Sequence, residues 1–240
     1  AAVDVAPVFG GKLIAVDTAR AEGMPGVKRV VALEEAVAVV ADTYWEARQA
    51  LAALEPQFDD AGNGAVSNET IFNAFDAALG AAPAMPSSAA SVITADYRVP
   101  FLAHATMEPM TCTVRITADR AGAWVSSQNG EASLGALSEV SGLPLDKCEV
   151  YKHDLGGGFG RRGGLQDPVR QAAAIGKQFP GTPIKMIWSR EEDMAHDFSR
   201  PISQCRMAAG LDESGKLVGF HLRVSGQSIN AYLNPAAARG

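Results

Sequence analysis

The chain has 240 residues, a formal net charge of −6 and a hydrophobic content of 47%. That length holds one large domain or two small ones with a real core, and the acidic balance argues against general nucleic-acid or membrane-surface binding. No apolar run reaches membrane-spanning length, and Cys112, Cys148 and Cys205 stand far apart without a CxxC, which argues against an iron–sulfur cluster or structural zinc built by this chain alone.

The first stretch reads as a small α/β unit. Lys12–Asp17, Val27–Ala32 and Ala36–Ala41 are strand-like, and Met24-Pro25-Gly26 supplies a turn between the first two. Thr43 with Glu46 forms a capping-box pattern. Tyr44, Ala47, Leu51 and Leu54 then share one face of a helix that Pro56 ends. Residues 57–67 are polar and glycine-rich and read as a loop, and Asn68–Leu79 reads as a second helix. The Ala81–Ser88 segment is the candidate boundary, giving units at 1–80 and 91–240 around a linker at 81–90.

Strands and helices alternate in the second part. Ser91–Arg98, Thr111–Thr117 and Ala123–Ser127 read as strands, Ala132–Val140 as a helix, and Cys148–His153 as a strand. Asp167-Pro168 opens the next helix, with Asp as cap and Pro suited to the first helical position. Ile184–Trp188 is a strand, and Ile202–Ala209 with Leu217–Ser225 forms a hairpin. Val218, Phe220, Leu222 and Val224 share one face of its last strand.

Between the Cys148–His153 strand and Asp167 stand six glycines within the ten residues Leu155–Gly164. Bare backbone of this kind takes up positive φ and lets a ligand approach the amides. Phe159, Arg161 and Arg162 are set into it, so the run reads as an anion-binding loop with a ring beside it. Residues 158–163 formally match the dinucleotide fingerprint GxGxxG. That fingerprint needs its glycines at the helix start, whereas Asp167-Pro168 places the helix later. A nicotinamide-binding dehydrogenase and a non-catalytic scaffold stay open as alternatives.

Several segments, in order, resemble the molybdenum-binding large subunit of the xanthine dehydrogenase/aldehyde oxidase family, and within it the isoquinoline 1-oxidoreductase β-subunit type. They are Val16-Asp17 with Met24-Pro-Gly-Val27, Ala36–Asp42 with Trp45 and Ala47, Tyr97-Arg-Val-Pro-Phe101, His104-Ala-Thr-Met-Glu-Pro109, Trp124-Val-Ser-Ser-Gln128, Gly156-Gly-Gly-Phe-Gly-Arg-Arg162, and Trp188-Ser-Arg-Glu-Glu-Asp193 with Arg200-Pro201. The resemblance implies a mixed α/β fold, a partial hammerhead-like unit followed by the first part of a molybdenum-cofactor-binding domain. It implies a hydroxylase that oxidises an N-heteroaromatic or an aldehyde with water-derived oxygen. The cofactor would be molybdenum–molybdopterin, in a dinucleotide form, with iron–sulfur clusters on a small partner subunit.

Carried over residue by residue, Gln128 matches the glutamine that donates to the molybdenum oxo group. Gly157, Gly158, Phe159 and Gly160 match the loop beside the cofactor, with the Phe159 ring lining the substrate pocket. Arg161 and Arg162 depart from the xanthine branch and fit the isoquinoline type, with at least one expected near the pterin phosphates. Gly163 stands where the xanthine branch has a glutamate, so xanthine is a poor substrate guess.

No residue of this chain is expected to ligate the metal. The family's general-base glutamate is expected beyond Gly240, so the chain reads as a fragment or one part of a split enzyme, inactive alone and dependent on the remainder of the large subunit. Glu108 reads as a structural carboxylate, His104 as bonded within its own segment, and His153, His196 and His221 as structural. Glu191–Asp193 reads as a solvated or capping cluster. Many isoquinoline-type relatives are exported folded to the periplasm, which leaves the compartment open.

Overall fold

The computed structural model of the chain describes residues 1–233 and 236, in two compact units. The first comprises Ala1–Gly64 and Ala103–Phe198, the second Ala65–Leu102 and Ser199–Gly240. Each is thus made of two separated stretches, and the 81–90 segment lies inside the second unit. Composition located an irregular backbone there, not the place where contacts end.

In the first stretch, β1 (Ala2–Val5) precedes β2 (Leu13–Ala15) and α1 (Ala19–Glu22). Then come β3 (Val27–Ala32), β4 (Ala36–Ala41), α2 (Tyr44–Ala53) and β5 (Gln57–Phe58). The order β1-β4-β3 makes β4 central, antiparallel to both neighbours. Its unbroken apolar run, Ala-Val-Ala-Val-Val-Ala, is what a strand covered on both faces requires. Val37 and Val39 join Ala21, Ala47, Ala50 and Leu54 in one core cluster, while Ala36, Ala38 and Val40 join the main core of the unit. The Thr43–Glu46 capping box forms as expected, and α2 ends before Pro56. β1 and β5 were not anticipated. Both are short and are held by pairing, β1 with β4 and β5 with β2.

The chain next contributes α3 (Asn68–Leu79) and β6 (Ser91–Val99) to the second unit before returning to the first. There β7 (Thr111–Ile116), β8 (Ala121–Ser126), α4 (Gly130–Ser141) and β9 (Cys148–His153) follow. After the glycine run come α5 (Asp167–Gly176), β10 (Ile184–Ile187) and α6 (Arg190–Ala195). The sheet order is β10-β7-β8-β9; β8 and β9 are parallel, joined through α4, and the other pairs are antiparallel. Cys112, Val114, Ala123 and Val125 pack with Leu137, Val169, Ala172, Ala173 and Ile175 of the two helices, forming the main core. The cysteines in β7 and β9 are ordinary buried side chains, and burial pushes the Cys112 thiol up to about 12.

In the second unit β11 (Ser203–Leu211) lies between β12 (Leu217–Gly226) and β6, antiparallel to both, and α7 (Ile229–Leu233) follows. The β11–β12 hairpin turns at Asp212, whose carboxylate accepts from the amides of Ser214 and Lys216. On the face carrying α3, Asp76 accepts from Gln204 and pairs with Arg98 and Arg206, and Arg206 also pairs with Asp96.

Candidate functional site

Two chain segments leave the sheet of the first unit at the carboxyl ends of its parallel pair, the position where open α/β sheets bind ligands. From β8 the chain runs through Ser127 and Gln128 to Asn129, whose side chain caps α4 by accepting from Ala132 N at 3.0 Å. From β9 it enters the glycine run. The two are joined backbone to backbone, Gln128 N donating to Arg162 O at 3.0 Å.

The Gln128 side chain is fixed by the loop. Its Oε1 accepts from Gly160 N at 3.1 Å and from Arg162 N at 3.2 Å. An amide oxygen facing two N–H donors can only be the oxygen, so Nε2 is the donor turned to the exposed side. Gly158 backs onto this group so closely that a Cβ there would stand 2.6 Å from Gln128 Cδ. Gly157 and Gly160 have φ of +101° and +99°, and no atom lies within 4 Å of a Cβ position at Gly160.

Phe159 adopts φ +53° with its side chain 65% exposed. Left-handed backbone costs a bulky L-residue about 1–2 kcal/mol, so the loop holds this ring outward against its own preference. The facing 104–109 segment carries a second such residue, Ala105 at φ +47°. Glu108 ties the two segments together. Its N donates to Gly156 O, its Oε2 accepts from Gly156 N at 3.0 Å, and its Oε1 accepts from Ser126 Oγ at 3.0 Å. The structural reading of Glu108 agrees with this geometry, since both oxygens are engaged.

The structure turns both arginines into the protein, onto acidic partners. Arg161 is 1% exposed and Arg162 3%. Arg161 makes a bidentate pair with Asp167 at 2.8 and 2.7 Å, reaches Asp197 at 2.7 Å, and lies over the rings of Trp188 and Phe198. Burial works against its charge, but Asp167, Asp197 and Asp193 more than offset that and hold the guanidinium above its ordinary value. Arg162 donates to Gly157 O at 3.0 Å and Glu108 O at 2.6 Å and pairs with Glu108 Oε2 at 3.1 Å. Burial lowers its value, with Glu108 opposing. Both guanidiniums brace the loop from inside. The same pairing explains why Asp167 is not a cap: Gln166 holds the N-cap position of α5 without a side-chain bond, and the Asp167 carboxylate goes to Arg161. A bidentate charged pair outweighs one cap bond.

Other residues fall as follows. His104 bonds to Asp197, far along the chain, by its backbone N and by Nδ1 at 3.0 Å, not within its own segment. Glu191, Glu192 and Asp193 all lie in the first turn of α6, Glu191 exposed, as the solvated or capping reading expects, while Asp193 is buried and paired with Arg190, and burial raises its carboxyl. His196 pairs with Glu192 at 3.0 Å. Asp197 was not singled out from the sequence, and Asp167, Trp188 and Arg190 were noted as a helix cap and as parts of a family-like segment, not as partners of the glycine loop or its neighbours. Two adjacent arginines in an apolar, glycine-rich loop were the available signal, since buried guanidiniums require acidic partners. The fingerprint at 158–163 does not open a helix: the loop turns back onto Gln128, and α5 begins only at Asp167.

The chain is similar to known proteins in sequence and in fold. A family model described as the molybdopterin cofactor-binding domain matches residues 65–235. The chain is 30% identical to the isoquinoline 1-oxidoreductase subunit beta of Brevundimonas diminuta, over 98% of this chain and 32% of that protein. It is 24% identical to the aldehyde oxidoreductase molybdenum-binding subunit of Escherichia coli K12, over 88% of this chain and 33% of that protein. The chain therefore spans about a third of the length of these curated relatives. Among solved structures, quinoline 2-oxidoreductase from Pseudomonas putida 86 shares the fold with a TM-score of 0.67 at 16% identity, covering 93% of this chain and 35% of that one.

Proposed function

We propose a function from one premise: the chain belongs to the molybdopterin cofactor-binding domain family. It supplies one wall of the cofactor site in a molybdenum hydroxylase that oxidises an N-heteroaromatic or an aldehyde. The observation that carries this reading is the Gln128 amide, locked by two backbone donors so that its own N–H group points outward beside open glycine backbone.

The residues present fit such a cofactor. Oxo and phosphate oxygens accept hydrogen bonds, and the site offers an uncharged donor on a fixed frame. The resemblance read from the sequence puts the metal on the pterin and not on a side chain of this chain. When bound, the molybdenum–pterin group supplies the oxidation chemistry and an activated water-derived oxygen.

The chain's own residues supply placement. Gln128 Nε2 would donate to the cofactor, and the glycine backbone, free of side chains, would let it approach. The Phe159 ring gives a flat apolar surface on which an aromatic substrate packs. Gly163, with no carboxylate, suits an unsubstituted heterocycle or aldehyde better than a purine. Glu108 is committed to the loop and is not free to act as the general base. A small iron–sulfur subunit would take the electrons, the rest of the large subunit would complete the site, and the pterin would carry a nucleotide.

Molybdenum analysis of the matured protein, purified with its accompanying chains, tests this reading. About one molybdenum per copy is expected, with Gln128→Ala retaining less and turning over isoquinoline or benzaldehyde far more slowly. Matured protein without molybdenum would overturn it.

A further inference from the structure

The sheet of the second unit has two unlike faces. On one, Asp96 and Arg98 of β6, Gln204 and Arg206 of β11, and Arg223 of β12 meet α3 through ion pairs and hydrogen bonds, including Arg223 to Leu79 O. The antiparallel register sets Cys205 opposite Tyr97 and Val224, Met207 opposite Leu222, and Ala209 opposite Ile93 and Phe220, all on the other face. That face has no charged side chain among these positions. Ile93, Tyr97, Phe220, Leu222 and Val224 on it are between 48% and 65% exposed. Alternation has sorted the central rows of this face to be apolar, with Ser91 and Ser203 only at its ends, as a sheet does when a further layer covers it.

We infer that this face is the docking surface for another apolar layer of polypeptide from the same subunit. Its size selects that occupant over a second copy. Three strands about 4.8 Å apart and nine residues long give a face of roughly 400–450 Å². Two such faces together bury about 900 Å², below the roughly 1,200–2,000 Å² of stable associations between separate molecules. A covalently connected layer needs no such area, because its effective concentration is high. Relatives supply the material: about two thirds of the isoquinoline and aldehyde oxidoreductase subunits lies outside the stretch this chain matches. The inference rests on the proposed reading of this chain as part of a longer subunit, but none of these side chains belongs to the cofactor site, so its footprint is read independently of molybdenum content.

Carbene footprinting of the complete subunit containing this chain, at concentrations where sizing shows a single copy, tests it. Peptide mapping reads modification of Tyr97, Phe220, Leu222 and Val224 relative to the unfolded protein. The expected result is a tenfold or greater reduction in the single-copy state, unchanged on dilution. Modification at about half the unfolded level, as the exposures here give, would overturn the inference. So would protection that appears only as two copies associate, which would assign the face to a dimer. Phe220→Lys, if it folds, should restore modification of the neighbouring Leu222.

Discussion

Gly158→Ala tests the coupling of loop and amide at a single atom. No left-handed φ is needed at Gly158, so alanine fits the backbone and the effect comes from contact alone. The new Cβ would lie 2.6 Å from Gln128 Cδ, where ordinary contact begins near 3.4 Å, so the amide must withdraw by about 0.8 Å. That stretches the bonds from Gly160 N and Arg162 N, now 3.1 and 3.2 Å, beyond hydrogen-bond length. Two such bonds are worth about 1 kcal/mol each, and the stiffer unfolded chain returns about 0.4–1 kcal/mol. A net loss near 1–1.5 kcal/mol lowers Tm by only about 2–5 °C. At the site, a displacement approaching 1 Å costs about 100-fold in turnover. Urea melts, molybdenum content and kcat/KM measured together separate the two effects. Because both residues act through one contact, Gly158→Ala with Gln128→Ala should be no worse than Gln128→Ala alone. Full molybdenum and kcat/KM within twofold of the parent in Gly158→Ala would refute the role given to Gln128.

Asp167→Ala strips the bidentate partner from a buried guanidinium and should cost about 3–5 kcal/mol in urea unfolding, whereas Arg170→Ala, whose pair with Glu139 is exposed, should cost under about 1 kcal/mol. Phe159→Gly relieves a left-handed backbone and should raise stability by about 1 kcal/mol, while raising KM for bicyclic heteroaromatics more than for acetaldehyde. His196 is opposed by burial but lifted above its ordinary value by the hydrogen bond and charge of Glu192, with Asp4 also facing it. Its stabilisation is therefore complete below about pH 6.5 and lost as pH rises through the folded value; His196→Gln should flatten that part of the stability–pH curve.

What could be read from the sequence follows how local the cause is. The capping box at Thr43, the doubly apolar strand Ala36–Ala41 and the Asp167-Pro168 helix start depend on neighbours a few residues away, and all three positions form the elements expected. The strand Ala2–Val5 depends on pairing with β4 and was missed. At the site, glycine spacing pointed to open backbone, which is present. The direction of the arginines was not legible, because Asp167 was read as a helix cap, Glu108 as shaping its own turn, and Asp197 comes from a segment with no motif linking it to the loop. Nor could composition show that the chain leaves the first unit after Gly64 and returns at Ala103.

That excursion has a consequence for how the protein is made. β6 leaves the ribosome with Ile93 and Tyr97 on its apolar face, but its partner β11 follows much later; Arg206 and Asp96, which pair across the two strands, are 110 residues apart. At about 5–20 residues per second, this strand waits roughly 5–20 s before it can pair. Closing a loop of that length carries an entropy cost of about 4 kcal/mol. The first unit can complete its sheet during the wait, since β7 through β10 are all synthesised before β11. Synthesis order therefore makes the half bearing the glycine loop the earlier to mature, and leaves β6 as the segment that a chaperone would have to shield.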